Sequence, residues 1–290
     1  MVIVITGPTG TGKTTLSLFL AKKLNGEIIN ADSTQVYKGM DIATNKVKDY
    51  ENVVHHLIDE KVWDVDYTVY DYQKDARGII DDIIKRGKTP ILVGGTGLYI
   101  KAALYDYEFT DRDNNQYEDF TDEEVYNKLL EVDPNTSIHK NNRKRVVSAL
   151  NYYVVNNKPY SEKEVTDKLL YDTIFIGLTM DRNMLYDKIN KRVDEMVREG
   201  LIEEARGIYE SNIRTKAVMT PIGYKELFDY FEGRKSLDEC LDLIKQRSRR
   251  YAKRQYTWFN NQMDLKWFMV DKDFSKTEEE ALAYIKTSMK

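Results

Sequence analysis

The stretch Gly7-Pro8-Thr9-Gly10-Thr11-Gly12-Lys13-Thr14 decides the fold of this chain. It fits the phosphate-binding pattern G-x-x-x-x-G-K-[ST]. A β-branched run over residues 2–5 precedes it and indicates a buried strand, and residues 15–24 follow with apolar side chains at helical spacing. Backbone N–H groups and the dipole of a helix N-terminus both favour an anion at such a junction. We therefore predict that the loop from Gly7 to Thr15 binds a polyphosphate; the alternative is a glycine-rich turn with an incidental lysine.

Composition indicates a soluble globular protein. The 290 residues are 41% hydrophobic and 32% charged, enough for one large domain or a domain with a smaller insertion. A net charge of −4 excludes a general affinity for nucleic acid, so such a site would be a local basic patch. Because Cys240 is the only cysteine, a disulfide framework and a multi-cysteine zinc site are excluded. No membrane span or signal pattern is visible, so we expect a cytoplasmic location and no membrane partner.

The order of strand and helix patterns predicts an α/β fold. Short buried strands recur at 27–30, 90–93 and 173–178, each followed by a helix, which predicts a P-loop NTPase-like parallel sheet flanked by helices. The segment 107–168 interrupts this alternation with two helix patterns. We therefore predict a core domain over 1–106 and 169–290, and a small all-helical insertion domain between them. Residues 265–270 are expected to form an edge strand.

Polar residues follow several predicted strands, where ligands of open α/β sheets bind. Asp32 follows the second strand; the alternative is an aspartate that caps a helix or stabilises a turn. Gly94-Gly95-Thr96 follows the third strand, where a nucleoside-triphosphate hydrolase usually has a magnesium-binding aspartate. That difference argues against an ATPase and indicates close approach of the backbone to a ligand, although Thr96 could also be a helix N-cap. Arg182 stands at the next strand-to-helix junction, on the same predicted edge.

Two basic clusters are candidates for contacts with RNA. One surrounds residues 140–145, and the other places six basic residues within 245–254, followed by Tyr256, Trp258 and Phe259. Basic side chains meet phosphates and aromatic rings stack on splayed bases, so both features are typical of binding to looped RNA. The alternative is a solvated helix face, and for the three aromatic residues a role in the core is favoured.

Taken together, the motifs resemble the tRNA dimethylallyltransferase (tRNA isopentenyltransferase) family. The resemblance extends in order over nearly the whole chain. Its residues are GPTGTGKT at 7–14, NADSTQVYKGMDIAT at 30–44, HHLID at 55–59, PILVGGTGLYIKAAL at 90–104, INKRVDEMVREGLIEEA at 189–205, IGYKEL at 222–227 and RRYAKRQYTWF at 249–259.

The resemblance implies a reaction and a set of roles. Members of this family move the dimethylallyl group of dimethylallyl diphosphate to N6 of the adenosine immediately 3′ of the anticodon. Asp32 would then be the base near N6, Thr96 would hydrogen-bond near the reacting centre, and Lys13 would stabilise the leaving diphosphate. Arg192 would contact the diphosphate, and Arg182 is added from its position only. Thr14 would hold the cofactor Mg²⁺, with Asp32 reaching the ion through water.

The same resemblance places tRNA contacts. The anticodon stem-loop would be the macromolecular partner, and the target base would have to leave its stack to reach the site. No zinc is expected, and the protein is expected to be a monomer. The residues assigned to tRNA are Ser33, Thr34 and Gln35 for reading bases, and Lys140, Arg143, Lys144, Arg247, Arg250, Lys253 and Arg254 for the basic clusters.

Other functions fit parts of the sequence. A P-loop kinase of nucleosides or other small molecules would need ATP, and the missing aspartate after the third strand argues against it. An adenylate isopentenyltransferase would share the donor, but it would need neither the insertion nor the basic 245–254 segment. A catalytically silent RNA-binding module would have no use for Lys13, Thr14, Asp32 and Thr96 together.

Overall fold

The structure is a computed structural model that describes residues 1–107, 115–163, 168–271 and 273–289. It divides into two compact units, which are described separately. The core unit comprises Met1–Tyr105 and Leu169–Lys290, and the insertion unit comprises Asp106–Lys168. Residues 108–114, at the start of the predicted insertion, lie outside the described residues.

A six-stranded parallel sheet forms the centre of the core unit. Its strands, in chain order, are β1 (Val2–Thr6), β2 (Gly26–Asn30), β3 (His55–His56), β4 (Thr89–Val93), β5 (Thr173–Thr179) and β6 (Lys266–Met269). They lie in the order β3-β2-β4-β1-β5-β6, and every neighbouring pair is parallel. This arrangement confirms the predicted fold class, including the edge position of the last strand.

Helices cover both faces of the sheet. The helices of the core unit are α1 (Lys13–Lys23), α2 (Val69–Lys85), α3 (Gly97–Leu104), α6 (Arg182–Arg198), α7 (Leu201–Glu210), α8 (Lys216–Met219), α9 (Tyr224–Phe231), α10 (Leu237–Gln262) and α11 (Phe274–Ser288). One apolar cluster joins α1, α6 and α11 to the sheet, and a second joins α2 and α3 to the opposite face. A third cluster is formed by α6, α7, α9 and α10 with the loop after β2.

Capping residues fix where several helices begin. Thr68 and Ser236 each accept a hydrogen bond from the backbone N–H three residues on, and Asp71 and Glu239 bond back to the N-cap residues. Asp181 caps α6, where its side chain accepts from the N–H groups of Asn183 and Met184. Such caps satisfy N–H groups that the first helical turn leaves unpaired.

The insertion unit is helical in the part of it that the structure describes. It contains α4 (Asp122–Val132) and α5 (Arg143–Asn156), with short 3₁₀ turns at Asn115–Tyr117 and Tyr160–Glu162. Thr121 and Glu124 form a capping box at the start of α4. Val125, Leu129, Val146 and Leu150 are buried between the two helices and form its small core.

A buried carboxylate joins β2 to neighbouring elements of the core unit. Glu27 lies in β2 with its side chain 3% exposed, and its two oxygens bind Arg86, Lys88 and His56 at 2.5–2.8 Å. The hydrogen bonds from Arg86 hold the pKa of Glu27 far below its ordinary value. His56 therefore has a structural partner, and the ring of His55 bonds the carbonyl of Val53.

Replacing Glu27 with glutamine should lower the free energy of unfolding by about 2–4 kcal/mol, because charge-assisted bonds are lost while the site stays buried. The lowered pKa means that this stabilisation is present above the unfolded-state pKa of ~4.3 and is lost as the pH falls through the folded-state value. Denaturant titrations at neutral and acid pH should show the difference shrinking in acid. Glu280→Gln, in an exposed pair with Lys276, is the control; equal effects of the two substitutions would contradict this role for Glu27.

Candidate functional site

Four loops meet at the carboxyl edge of the sheet. They follow β1, β2, β4 and β5, and the strand order places the loop after β4 between those after β1 and β2. Backbone hydrogen bonds join the ends of β1, β2 and β4: Gly94 N–H donates to Ile5, Ala31 N–H donates to Val93, and Thr96 N–H donates to Ala31. The predicted phosphate loop, Asp32 and Thr96 therefore lie at one end of the sheet.

The loop between β1 and α1 has the conformation that its glycines permit. Gly7 has φ +136°, and a Cβ atom there would lie 2.4 Å from the carbonyl oxygen of Leu178 on β5. The hydroxyl of Thr11 donates to the carbonyl of Pro8 at 2.9 Å and fixes the turn from inside. The helix that follows begins at Lys13, so its free N–H groups and dipole face this loop.

Lys13 lies inside the loop. Its ammonium group donates to the carbonyls of Gly7 and Pro8 at 3.0 and 2.9 Å. Burial lowers its pKa from 10.5 to about 8, and the nearby charge of Asp32 opposes that change. The side chain is therefore a cation poised beside the loop that an arriving anion would stabilise in its charged form.

Asp32 is held in a tight turn after β2. The carbonyl oxygen of the Asn30 side chain accepts from Asp32 N–H at 3.0 Å, and its amide donates to the carbonyls of Asp32 and Leu57. One oxygen of Asp32 accepts from the N–H and hydroxyl of Thr34. Asp32 is thus a turn residue, as the alternative held, and its carboxylate is half-buried; its role at the site stays a prediction.

Thr96 occupies the N-cap position of α3, yet its side chain makes no capping bond. Its hydroxyl accepts from the N–H of Ser33 at 3.2 Å and lies 3.4 Å from the Ser33 hydroxyl. Thr96 therefore joins the loop after β4 to the loop after Asp32. Gln35, predicted to read a base, donates instead to the carbonyls of Thr44 and Asn45. Both hydrogen bonds use the side-chain nitrogen of Gln35, so the predicted contact with a base would have to use its side-chain oxygen.

The prediction that Gly94 and Gly95 allow a ligand to approach was wrong. A Cβ atom at Gly94 would lie 2.2 Å from the backbone of Ala31, and one at Gly95 would lie 2.1 Å from the side chain of Gln255. Gly97 is likewise covered by the ring of Trp258 at 2.1 Å. These glycines are needed because the protein packs against itself there.

Two residues of α10 reach the site and were missed by sequence reasoning. Gln255 accepts from Thr9 N–H and donates to the carbonyl of Gly95, both at 3.0 Å. Tyr251, one turn earlier, hydrogen-bonds with Thr96; burial and the charge of Asp32 raise its pKa, so it stays a neutral hydroxyl. Both lie within the motif at 249–259, but nothing in their spacing shows which loops they touch.

The aromatic residues of α10 belong to the core, as the favoured alternative held. Phe259 is fully buried, Trp258 packs on Gly97, and the hydroxyl of Tyr256 bonds Thr179 and the N–H of Met180. Phe259 therefore has no face free to stack on a base, whereas Tyr256 and Trp258 are half-buried against the core.

The basic residues of α10 divide into two groups by their partners. Lys245 pairs with Asp194, Arg247 pairs with the buried Glu226, and Arg249 donates to the side chain of Asn190. The other group forms an exposed face with no ion pair within the described residues; it consists of Arg250, Lys253 and Arg254. The exposed face is suited to phosphates, whereas Arg247 is committed to a structural pair.

Arg192 and Arg182 lie on α6, whose residues Leu185 and Ile189 pack beside Gly10. Arg192 is one turn beyond Ile189, where it forms a bidentate pair with Glu199 at 3.1 Å. Its Nε is buried without a hydrogen-bond partner among the described residues. Arg182 is exposed and stacks over Tyr186. An anion bound to Arg192 would compete with Glu199 or use the unpartnered Nε.

In the insertion unit, Arg143 is engaged within the unit. Its guanidinium binds the carboxylate of Asp122 and the carbonyls of Tyr117 and Phe120. Lys140 and Lys144 are exposed and have no ion pair in the part of the chain that the structure describes. Of the three predicted contacts in this unit, the two lysines are the free cations.

The residues predicted to hold Mg²⁺, Thr14 and Asp32, both offer oxygen atoms as ligands. Thr14 is exposed in the first turn of α1, and Asp32 offers a carboxylate near Lys13. Hydroxyl and carboxylate oxygens suit Mg²⁺, which commonly takes its other ligands from substrate phosphates and water. No group of three or more His, Cys, Asp or Glu side chains is arranged for a metal within residues 1–107, 115–163, 168–271 and 273–289.

Comparison with known proteins decides the family. The IPP transferase family model matches residues 35–262. The tRNA dimethylallyltransferase of Geobacillus thermodenitrificans is 50% identical, with 98% of this chain and 96% of that protein covered. The chain belongs to this family. The tRNA dimethylallyltransferase of Anoxybacillus flavithermus is 48% identical over the same shares of both chains.

Solved structures of tRNA dimethylallyltransferases and their isopentenyl-named relatives share this fold. The full-length tRNA isopentenylpyrophosphate transferase of Bacillus halodurans is 41% identical with a TM-score of 0.76, covering 99% of this chain and 96% of that one. A eukaryotic dimethylallyltransferase acting on tRNA is 32% identical with a TM-score of 0.86, covering 97% and 77%. The resemblance stated from the sequence motifs is confirmed. Across the described residues, no helix has the length and apolar character of a membrane span.

Proposed function

We propose that this chain transfers the dimethylallyl group from dimethylallyl diphosphate to N6 of the adenosine immediately 3′ of the anticodon of tRNA. The observation that carries the proposal is the strand order of the sheet, in which the loop after β1 with Lys13 and the loop after β2 with Asp32 flank the loop after β4. It brings a diphosphate-binding cation and a candidate base to the same edge of the sheet. The names of the relatives support the donor and the acceptor.

The reaction can be assigned to these side chains. The N6 lone pair attacks C1 of the dimethylallyl group, and the bond from C1 to the diphosphate oxygen breaks, with its electron pair leaving on diphosphate. Asp32 takes the proton that N6 loses. Lys13 and the N–H groups at the start of α1 stabilise the charge that develops on the diphosphate.

Mg²⁺ is proposed as the cofactor, held by the hydroxyl of Thr14 and reached by Asp32 through water. When bound it would supply additional positive charge to the leaving diphosphate. Arg192 is proposed as a further diphosphate contact because its Nε is a buried donor without a partner among the described residues. Arg182 stays a prediction from position.

The acceptor side is proposed to use the loop after Asp32 and the exposed face of α10. Ser33 and Thr34 are fixed next to Asp32 and Thr96, so they can meet the base that enters the site. Arg250, Lys253 and Arg254 would bind tRNA phosphates. Monomeric state and cytoplasmic location stay predictions.

The test is incubation of the protein with unmodified tRNA, Mg²⁺ and radiolabelled dimethylallyl diphosphate, followed by mapping of the label. Label on the adenosine beside the anticodon supports the proposal. Parallel reactions offer AMP as acceptor or ATP as donor. Label in AMP alone would indicate an adenylate isopentenyltransferase, and phosphate transfer from ATP without prenyl transfer would indicate a kinase.

Affinity for dimethylallyl diphosphate should fall as the pH rises through about 8. In the free protein, burial lowers the pKa of Lys13 to about 8, so above this pH the side chain loses the charge that attracts the diphosphate. Binding the anion raises that pKa, so binding should take up protons. Calorimetry in buffers of different ionisation enthalpy measures this uptake, and an affinity independent of pH between 7 and 9 would contradict it.

Replacing Lys253 with alanine should weaken tRNA binding and flatten its salt dependence by ~0.7–0.9 in the log–log slope, the effect of one lost phosphate contact. Lys245→Ala is the matched control on the same helix, because its ammonium pairs with Asp194 at 2.6 Å. Filter-binding titrations over a range of salt concentrations give both slopes. Unchanged slopes for both variants would remove this face of α10 from the tRNA surface.

A further inference from the structure

The side-chain amide of Gln255 bridges two loops of the site. Gln255 is 5% exposed on α10, and its single amide uses both ends. The oxygen accepts from Thr9 N–H, within the P-loop, and the nitrogen donates to the carbonyl of Gly95, next to Thr96. Thr9 follows β1 and Gly95 follows β4, its neighbour in the sheet, so the amide spans adjacent strand ends.

We propose that Gln255 is a positioning residue that sets the spacing between two loops: the donor loop, residues 7–15, and the acceptor loop, residues 94–96. This inference rests on the proposed function, in which residues 7–15 hold the diphosphate and Asp32 and Thr96 meet the adenosine. Transfer requires the attacking nitrogen and C1 of the donor at near-contact distance. A displacement of about 1 Å between these loops can therefore cost ~100-fold in rate.

The chemistry of the position favours an amide. One donor and one acceptor are needed at the end of one side chain, because the partners are an N–H and a C=O. A carboxylate would offer two acceptors, and an aliphatic side chain would leave both backbone groups unpaired in a buried place. A Cβ atom on residue 95 would lie only 2.1 Å from Nε2 of Gln255. A glycine is therefore needed at position 95 for the amide to reach its partners.

Tyr251 adds another contact between α10 and the loop after β4. It precedes Gln255 by one helical turn on the same face of α10, and it hydrogen-bonds with Thr96. The helix therefore contacts the acceptor loop at Gly95 and at Thr96, and the donor loop at Thr9. A rigid helix that contacts both loops can fix their separation.

The test compares Gln255→Met and Gln255→Glu with the same substitutions at Gln246, which is exposed on the same helix. Gln255→Met keeps the length and loses the hydrogen bonds to Thr9, Gly95 and Tyr251. We expect kcat for prenyl transfer to fall by ~10–100-fold through misplacement, with tRNA affinity unchanged. The Gln246 variants should match the wild type.

Gln255→Glu provides a readout that a merely structural role would not give. A protonated carboxyl group has one donor and one acceptor, like the amide, whereas the ionised form has only acceptors. The activity of this variant relative to wild type should therefore rise as the pH is lowered. Circular dichroism and thermal unfolding, run on every variant at each pH, identify loss of fold.

Wild-type turnover in Gln255→Met would overturn the inference. The inference would also be overturned if the activity of Gln255→Glu relative to wild type did not change with pH. This second outcome can be measured even if Gln255→Met fails to fold. Failure of the wild-type protein itself to label tRNA would instead remove the proposed function. The two failures are thus distinguished within one experiment.

Discussion

Replacing Asp32 with asparagine should lower kcat for prenyl transfer by ~10²–10⁴-fold, the usual contribution of a positioned general base. Asparagine keeps a side-chain oxygen that can accept from the N–H and hydroxyl of Thr34, so the turn after β2 should survive. What is lost is the acceptor for the proton that leaves N6. Single-turnover assays with saturating tRNA and dimethylallyl diphosphate measure the chemical step directly.

Asp187→Asn is the matched control, because Asp187 is exposed on α6. It should leave the rate unchanged. Affinity for tRNA should be similar in wild type and both variants. A single-turnover rate for Asp32→Asn close to that of wild type would exclude Asp32 as the base.

Asp32→Asn should also change the pH at which affinity for dimethylallyl diphosphate begins to fall on the alkaline side. The charge of Asp32 raises the pKa of Lys13 against the effect of burial. Without that charge the pKa of Lys13 falls further, so affinity for the diphosphate should decline at a lower pH than in wild type. A pH profile of binding that is identical in Asp32→Asn would show that the two side chains are not electrostatically coupled.

The sequence predicts the sheet and most helices because their signals are local. Strand and helix patterns alternate along the core, two helix patterns mark the insertion, and the P-loop pattern identifies the strand and helix around it. Asp32 and Thr96 could also be placed, since both follow buried strands whose carboxyl ends share one edge.

The rest of the site depends on contacts between distant parts of the chain. Gln255 meets Thr9 across 246 positions, and no periodicity encodes that pairing. Helical spacing puts Arg247 on the same face as Arg250 and Arg254, but the buried Glu226 of α9 captures Arg247 alone. A glycine in the sequence shows only that a side chain is absent. The sequence therefore could not tell that the space beside Gly95 is occupied by the side chain of Gln255 and not by a ligand.

Replacing Lys13 with methionine should lower kcat/KM for dimethylallyl diphosphate by at least ~10²–10³-fold, the effect of removing one preorganised donor to a developing anion. Methionine fills similar space in the P-loop without the charge. Methionine also loses the hydrogen bonds to the carbonyls of Gly7 and Pro8, but because burial disfavours the charge of Lys13 in the folded protein, we expect no fall in the free energy of unfolding at neutral pH.

Two comparisons separate the lost charge from the lost loop contacts. Lys22→Met, on the exposed side of α1 in a surface pair with Glu51, should have little effect on either activity or stability. Inorganic diphosphate binding, measured without tRNA, should fail in Lys13→Met while tRNA binding persists. Because Lys13 acts on the leaving group and Asp32 on the nucleophile, Lys13→Met should lose donor binding at every pH, whereas Asp32→Asn should retain it at pH values below the pKa of Lys13. If Lys13→Met binds diphosphate as wild type does, the P-loop does not hold the donor through this side chain.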